Sequence, residues 1–178
     1  MQSQFALIVS VVLLTGLASL RVQAQIPAAF FGMHMTGGMV NGEPWPVDNV
    51  CTFPLRGCDG FGAISLWDSA VPWTQVNPAD GVYSWRFLDT WINHAEQNSV
   101  EILYSFGDTP QWASSNPNDR YCADTPPYPP GTCDPPNDLN PDGSGTNQHW
   151  KDFVTAIATH TRGRIHYWEV WDEANNNG

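Results

Sequence analysis

The sequence predicts an α/β protein with parallel strands, on three observations. Short apolar runs at Phe30–Met35, Ala63–Trp67, Val100–Phe106 and Ile165–Trp171 have the length of strands. Apolar residues at helical spacing fill the intervals between the later runs. The resulting order, strand–helix–strand–helix–strand, joins parallel neighbours through right-handed crossovers.

From the N-terminus, Phe5 to Leu20 is almost wholly apolar and is followed by Arg21-Val22-Gln23-Ala24. We read residues 1–24 as a secretory signal, although Met1-Gln2-Ser3-Gln4 lacks the usual basic residue. A membrane anchor is the competing reading, but a span needs about 20 apolar residues. Residues 25–178 then form one domain, or part of one, expected outside the cell with no stable membrane association after cleavage. Cys51 and Cys58, then Cys122 and Cys133, lie in stretches rich in Pro, Gly and Asp. Local disulfides are the natural pairing in an exported chain, although four cysteines permit three connectivities. Zinc fits poorly: no Cys-x-x-Cys occurs and no His lies near either pair.

Ser84 is placed to cap a helix whose Trp85, Leu88, Trp91, Ile92 and Ala95 share one stripe. A second helix, Asn147 to Arg162, aligns Trp150, Phe153, Val154, Ile157 and Thr161, with Gly163 as its stop. Between them Gly107 to Thr146 is a long irregular stretch leaving the C-terminal end of a strand, where parallel α/β proteins place their active sites.

Composition narrows the function. With 18 acidic against 7 basic residues and a net charge of −11, the chain does not suit a nucleic-acid backbone. At 42% hydrophobic residues it is not a disordered acidic tail either. Nucleophile-elbow, dinucleotide and phosphate-loop motifs are absent, as is any metal-hydrolase histidine pattern, so no metal and no cofactor are expected.

The segment Ile165-His166-Tyr167-Trp168-Glu169-Val170-Trp171-Asp172-Glu173-Ala174-Asn175 carries the most chemistry. Alternation puts Tyr167, Glu169 and Trp171 on one strand face, with Glu173 following at its C-terminal end and Glu169 deeper as buried support. Aromatic neighbours and the adjacent Asp172 both disfavour an ionised Glu173, which suits a general acid for glycosidic cleavage. Two solvated acids at a strand end are the bland alternative. Trp67, Trp112 and Trp171 end strands and suit either stacking on a pyranose or packing. Trp85, Trp91 and Trp150 fall on helix stripes and fit packing. His34, Asp68 and Asp108 end the first three strands, placed either to bind hydroxyls or to cap loops.

These residues carry a resemblance. Trp168-Glu169-Val170-Trp171-Asp172-Glu173-Ala174-Asn175 resembles the strand-four signature of the clan A glycoside hydrolases, nearest to family 39 and related cellulase- and xylosidase-like proteins. Gly62 to Asp68 resembles their second strand, and Trp73 to Asp89 the loop and helix after it. Leu103-Tyr104-Ser105-Phe106-Gly107-Asp108-Thr109-Pro110-Gln111-Trp112-Ala113 is similar to their third strand and its Thr-Pro-x-Trp turn, and Phe31-Gly32-Met33-His34 serves as strand one. The resemblance implies about four βα units of a (β/α)8 barrel, not closed within this chain, and retaining hydrolysis of a polysaccharide or oligosaccharide. Glu173 would be acid/base, with Asp172, His34, Trp67, Asp68, Asp108, Trp112 and Trp171 lining the sugar site.

The departures matter. The nucleophile of such enzymes, a second Glu on strand seven, has no counterpart here, and a closed barrel typically needs about 250 residues. The chain is therefore expected to be a fragment and inactive alone. Asp172 replaces an Asn, Ser65 an Arg and Ala174 a Pro. A non-catalytic half-barrel that binds carbohydrate, or self-associates through open sheet edges, is the alternative.

Overall fold

The computed structural model describes Phe30 and residues 32–34, 61–121 and 128–172. Strands β1 (Gly32–His34), β2 (Ala63–Ser65), β3 (Glu101–Phe106) and β4 (Tyr167–Val170) form one parallel sheet in the order β1-β2-β3-β4. A doubly wound sheet reverses its strand order partway, whereas a barrel adds each strand beside the last. The observed order is that of a partial (β/α)8 barrel. Helices α1 (Trp73–Val76) and α2 (Arg86–Gln97) connect β2 to β3. A 3₁₀ turn (Gln111–Ala113) and α3 (Gln148–His160) connect β3 to β4.

Register sorts the side chains. Ile64 pairs with Met33 and Ile102, and Tyr104 with Trp168, so these lie on one face. That face is the core. Ile64, Leu66, Ile102, Tyr104 and Phe106 pack with Leu88, Trp91, Ile92 and Ala95 of α2 and with Phe153 and Ile157 of α3. Burying a side chain of this size contributes about 1.5–3 kcal/mol. Phe106 is a hub, its ring centroid 5.4 Å from those of both Trp150 and Trp168 and 5.9 Å from Phe153. The Tyr104 hydroxyl donates to the Val71 carbonyl at 2.6 Å, so the buried phenol keeps a partner. The opposite face holds His34, Ser65, Ser105, Tyr167 and Glu169. A cavity of about 280 Å³ lined by Ala63, Glu101, Leu103 and Tyr167 lies there.

Both helices fall within the expected stripes, with one correction. Ser84 does not cap α2. Trp85 occupies that position with helical dihedrals and makes no side-chain cap. It is held instead by ring stacking on Tyr83 at 5.2 Å and on His160 at 4.3 Å. Helix α3 is capped from a distance: the Asp138 carboxylate accepts the backbone N–H groups of Gln148 and His149 and the Thr146 hydroxyl. Gly163 follows α3 at a φ of +75°, as a stop glycine requires.

The loop after β3 is internally bonded. Thr109 donates its N–H to Thr132, Ser115 to Pro135 and Asn137 to Ala113. Cys133 is disulfide-bonded. Cys51, Cys58 and Cys122 lie outside the described residues, as does the expected signal. Among the described residues no helix is long and apolar enough to cross a membrane.

Candidate functional site

The parallel order brings four strand ends together. His34 ends β1, Trp67 and Asp68 follow β2, Gly107 and Asp108 follow β3, and Trp171 and Asp172 follow β4. Six of the eight sequence-predicted site residues, with Asp172 beside Trp171, therefore stand at the C-terminal rim.

Asp68 organises one side. Its Oδ2 lies 3.1 Å from His34 Nε2, and its Oδ1 accepts the Tyr128 hydroxyl at 3.1 Å. Tyr128 comes from the long loop after β3, and the sequence reading missed it. Its one signal was membership of an unusually long loop at the functional end of a strand. Burial, then the charges of Asp108 and Asp68 and the hydrogen bond to Asp68, raise its phenol to about 12.

Asp108 is the most perturbed carboxyl described. It is 8% exposed and adopts a φ of +60°, a left-handed conformation that Asp tolerates better than most residues. No described residue hydrogen-bonds its carboxylate, in contrast to Asp68. Loss of solvation, reinforced by the charge of Asp68, lifts its pKa to about 6. It therefore exchanges a proton near neutral pH, which an ordinary Asp does not.

Trp67 and Trp171 meet edge to face with centroids 6.0 Å apart. The space for Trp67 exists because residue 107 is glycine: a Cβ there would lie 2.3 Å from two atoms of the indole. Trp171 donates its N–H to the Phe106 carbonyl at 2.9 Å, yet its φ is +67°. Simple alternation from Glu169 onward therefore ends at Val170, one residue before Trp171. Glu173 itself lies outside the described residues. Glu169 is on the inner face and half-buried rather than buried, and Ser105 Oγ donates to its Oε2 at 2.5 Å.

Trp112 is engaged elsewhere. Its indole N–H donates to the Asn77 carbonyl at 2.9 Å and its ring meets His149 edge to face at 5.0 Å. Trp91 is fully buried and Trp150 packs on Trp73 and Phe106, so both serve the core as their helical spacing suggested. A cavity of about 380 Å³ adjoins the rim, between Trp171, Thr109 and the Asp134–Pro136 segment. Among the described residues no group of three or more His, Cys, Asp or Glu side chains is placed to hold a metal.

No protein-family profile matches the sequence. No curated protein does either. Solved structures are similar. A family 39 glycoside hydrolase from the gut symbiont Bacteroides cellulosilyticus WH2 aligns with 85% of this chain at 19% identity and a TM-score of 0.51. Xylanase B from Clostridium stercorarium F9 aligns with 78% at 14% identity and a TM-score of 0.46. A GH10 endoxylanase from a sugarcane soil metagenome aligns with 78% at 15% identity and a TM-score of 0.46. The alignments cover 26%, 37% and 34% of those chains, so this chain matches only part of each. Strand order, α/β alternation and the first of these likenesses together establish that the chain has the fold of part of a (β/α)8 barrel.

Proposed function

We propose that the chain is the N-terminal part of a secreted glycoside hydrolase that cleaves O-glycosidic bonds of a polysaccharide or oligosaccharide with retention. The observation that supports this most is the convergence of His34, Asp68, Asp108, Trp67 and Trp171 on the C-terminal rim, directly before the Trp171-Asp172-Glu173 motif. Indole faces suit the C–H face of a pyranose, and carboxylates accept its hydroxyl protons.

In this reading Glu173 gives its proton to the glycosidic oxygen as the bond to the anomeric carbon breaks. A second carboxylate, about 5 Å away on a later barrel strand, forms the glycosyl–enzyme bond. Glu173 then takes a proton from the water that releases the sugar. Asp172 lines the same site. Cys122 with Cys133 and Cys51 with Cys58 staple their loops for life outside the cell.

The test is Glu173→Ala in the natural secreted product, assayed on aryl glycosides. We expect kcat to fall about 10²–10⁴-fold, the usual contribution of a general acid. Added azide should restore turnover by replacing the activated water. Unchanged turnover would remove the role from Glu173.

A second reading is a carbohydrate-binding half-barrel that pairs with another chain. It is favoured by β4, which among the described residues pairs on one side only and whose Val170 and Tyr167 are 73% and 54% exposed. Sedimentation separates the two: a monomer with an intact sheet counts against pairing.

A further inference from the structure

Asp108 is nine-tenths buried and no described residue hydrogen-bonds its carboxylate, yet it stands at the rim where the carbohydrate reading places the ligand. Its carboxylate and that of Asp68 repel one another. Asp68 has both oxygens occupied, by His34 and by Tyr128. Among the described residues no Arg or Lys pairs with either acid. Arg164 is committed to Glu96, Lys151 to the Thr146 carbonyl and Arg86 to the face of Phe87. The rim therefore holds acids in excess, one of them poorly solvated, beside two indoles.

A partly buried carboxylate without a donor is costly, and the group that relieves it best is a cation bearing N–H bonds. An ammonium satisfies the carboxylate, screens it from Asp68 and finds favourable faces on Trp67 and Trp171. A neutral hydroxyl supplies one weaker donor, and a uronate adds a third negative charge.

We propose that the rim around Asp108 is a subsite for an amino sugar, taking a hexosamine ammonium on the Asp108 carboxylate and excluding uronic acids. The inference rests on the carbohydrate reading above and narrows its ligand. Its proton balance has two parts. Near pH 6 the carboxyl of Asp108 is partly protonated, and ammonium binding expels that proton to solvent. The minor free-amine fraction of the ligand takes one up as it binds, so native protein releases protons net and a variant without the carboxyl does not. A neutral sugar expels none.

The experiment is calorimetry on the secreted protein at pH 6 with three tetramers: fully de-acetylated glucosamine, cellotetraose and tetragalacturonate. We expect the glucosamine tetramer to bind at least about tenfold more tightly than cellotetraose, in keeping with a charge-assisted bond. Its heat should vary with buffer ionisation enthalpy, reporting proton release, and tetragalacturonate should not saturate. In Asp108→Asn the preference should fall to within about twofold and the proton release should vanish. Tyr128→Phe, which leaves Asp108 in place, should keep the proton release. Equal binding of the neutral and amino tetramers by the native protein, or a preference that survives Asp108→Asn, overturns the subsite. Failure of all three to bind overturns the carbohydrate reading with it.

Discussion

Asp108→Asn should make the protein more stable, and only at neutral pH. In the folded chain burial and the charge of Asp68 raise this acid from 3.8 to about 6. A carboxyl whose folded pKa lies above its unfolded one binds its proton more tightly when folded. Stability is therefore highest below the unfolded pKa, falls as pH rises from about 4 to about 6, and is level beyond. Two powers of ten in proton affinity, at about 1.4 kcal/mol each, cost the native state up to about 3 kcal/mol at pH 7.5. Asn has the same shape and carries no charge, so it avoids this cost. The assay is urea unfolding of both proteins at pH 4 and pH 7.5. The variant should be up to about 3 kcal/mol more stable at pH 7.5 and about equal at pH 4. Carboxyls shifted the opposite way, such as Asp138, titrate in both proteins and cancel in the difference. A difference that does not depend on pH, or a variant weaker at pH 7.5, would refute the claim that Asp108 is held in an unfavourable ionised state. A residue that destabilises its own fold is the kind that function retains.

Gly107→Ala puts a methyl group against the Trp67 indole, which must swing away from Trp171. We expect a loss of about 1–3 kcal/mol by thermal unfolding, with a changed near-ultraviolet circular dichroism band from the Trp pair. Asp138→Ala removes the acceptor for three donors at the start of α3, and about 1–2 kcal/mol of stability should go at pH 7. Hydrogen bonds hold the folded pKa of Asp138 below its usual value, so its contribution is present above the unfolded pKa and is lost as pH falls through the folded one. The native and variant stabilities should converge in acid.

The sheet was legible because its signals are local. Each strand is a run of apolar residues that can be counted, and β3 spans Glu101–Phe106 against an expected Val100–Phe106. The stripe Leu88, Trp91, Ile92 and Ala95 is buried because 3.6-residue periodicity leaves no other face for it. Parallel order followed from the alternation of elements. The rim was half legible: His34, Trp67, Asp68, Asp108 and Trp171 are strand-end residues, and topology alone gathers them. Three features were not. Tyr128 reaches Asp68 from 60 positions away through an irregular loop that has no period to read. The short helix α1 is too brief for periodicity to reveal. Trp171 adopts a positive φ although nothing in its side chain favours that conformation, so alternation could not be carried past Val170.

Ser65 and Asp172 stand where the resembling hydrolases usually carry Arg and Asn, and both departures move charge the same way. One removes a cation from the rim and the other adds an anion. Ser65 ends β2 on the inner face, opposite Leu103 and just before Trp67 and Asp68. A guanidinium restored there would favour ionised carboxylates nearby. In Ser65→Arg the titration midpoint of Asp108, followed by carboxyl-carbon NMR, should therefore fall from about 6 towards the ordinary Asp range. Binding of tetragalacturonate should appear as the preference for glucosamine shrinks. If the folded variant titrates like the native protein, position 65 is not in electrostatic contact with Asp108. The raised pKa would then be a matter of burial and Asp68 alone, and the missing Arg would have no part in the selectivity of the rim. If the midpoint falls but uronate is still refused, Asp172 is the other departure to reverse. Asp172→Asn on the same background then decides whether the two departures act together.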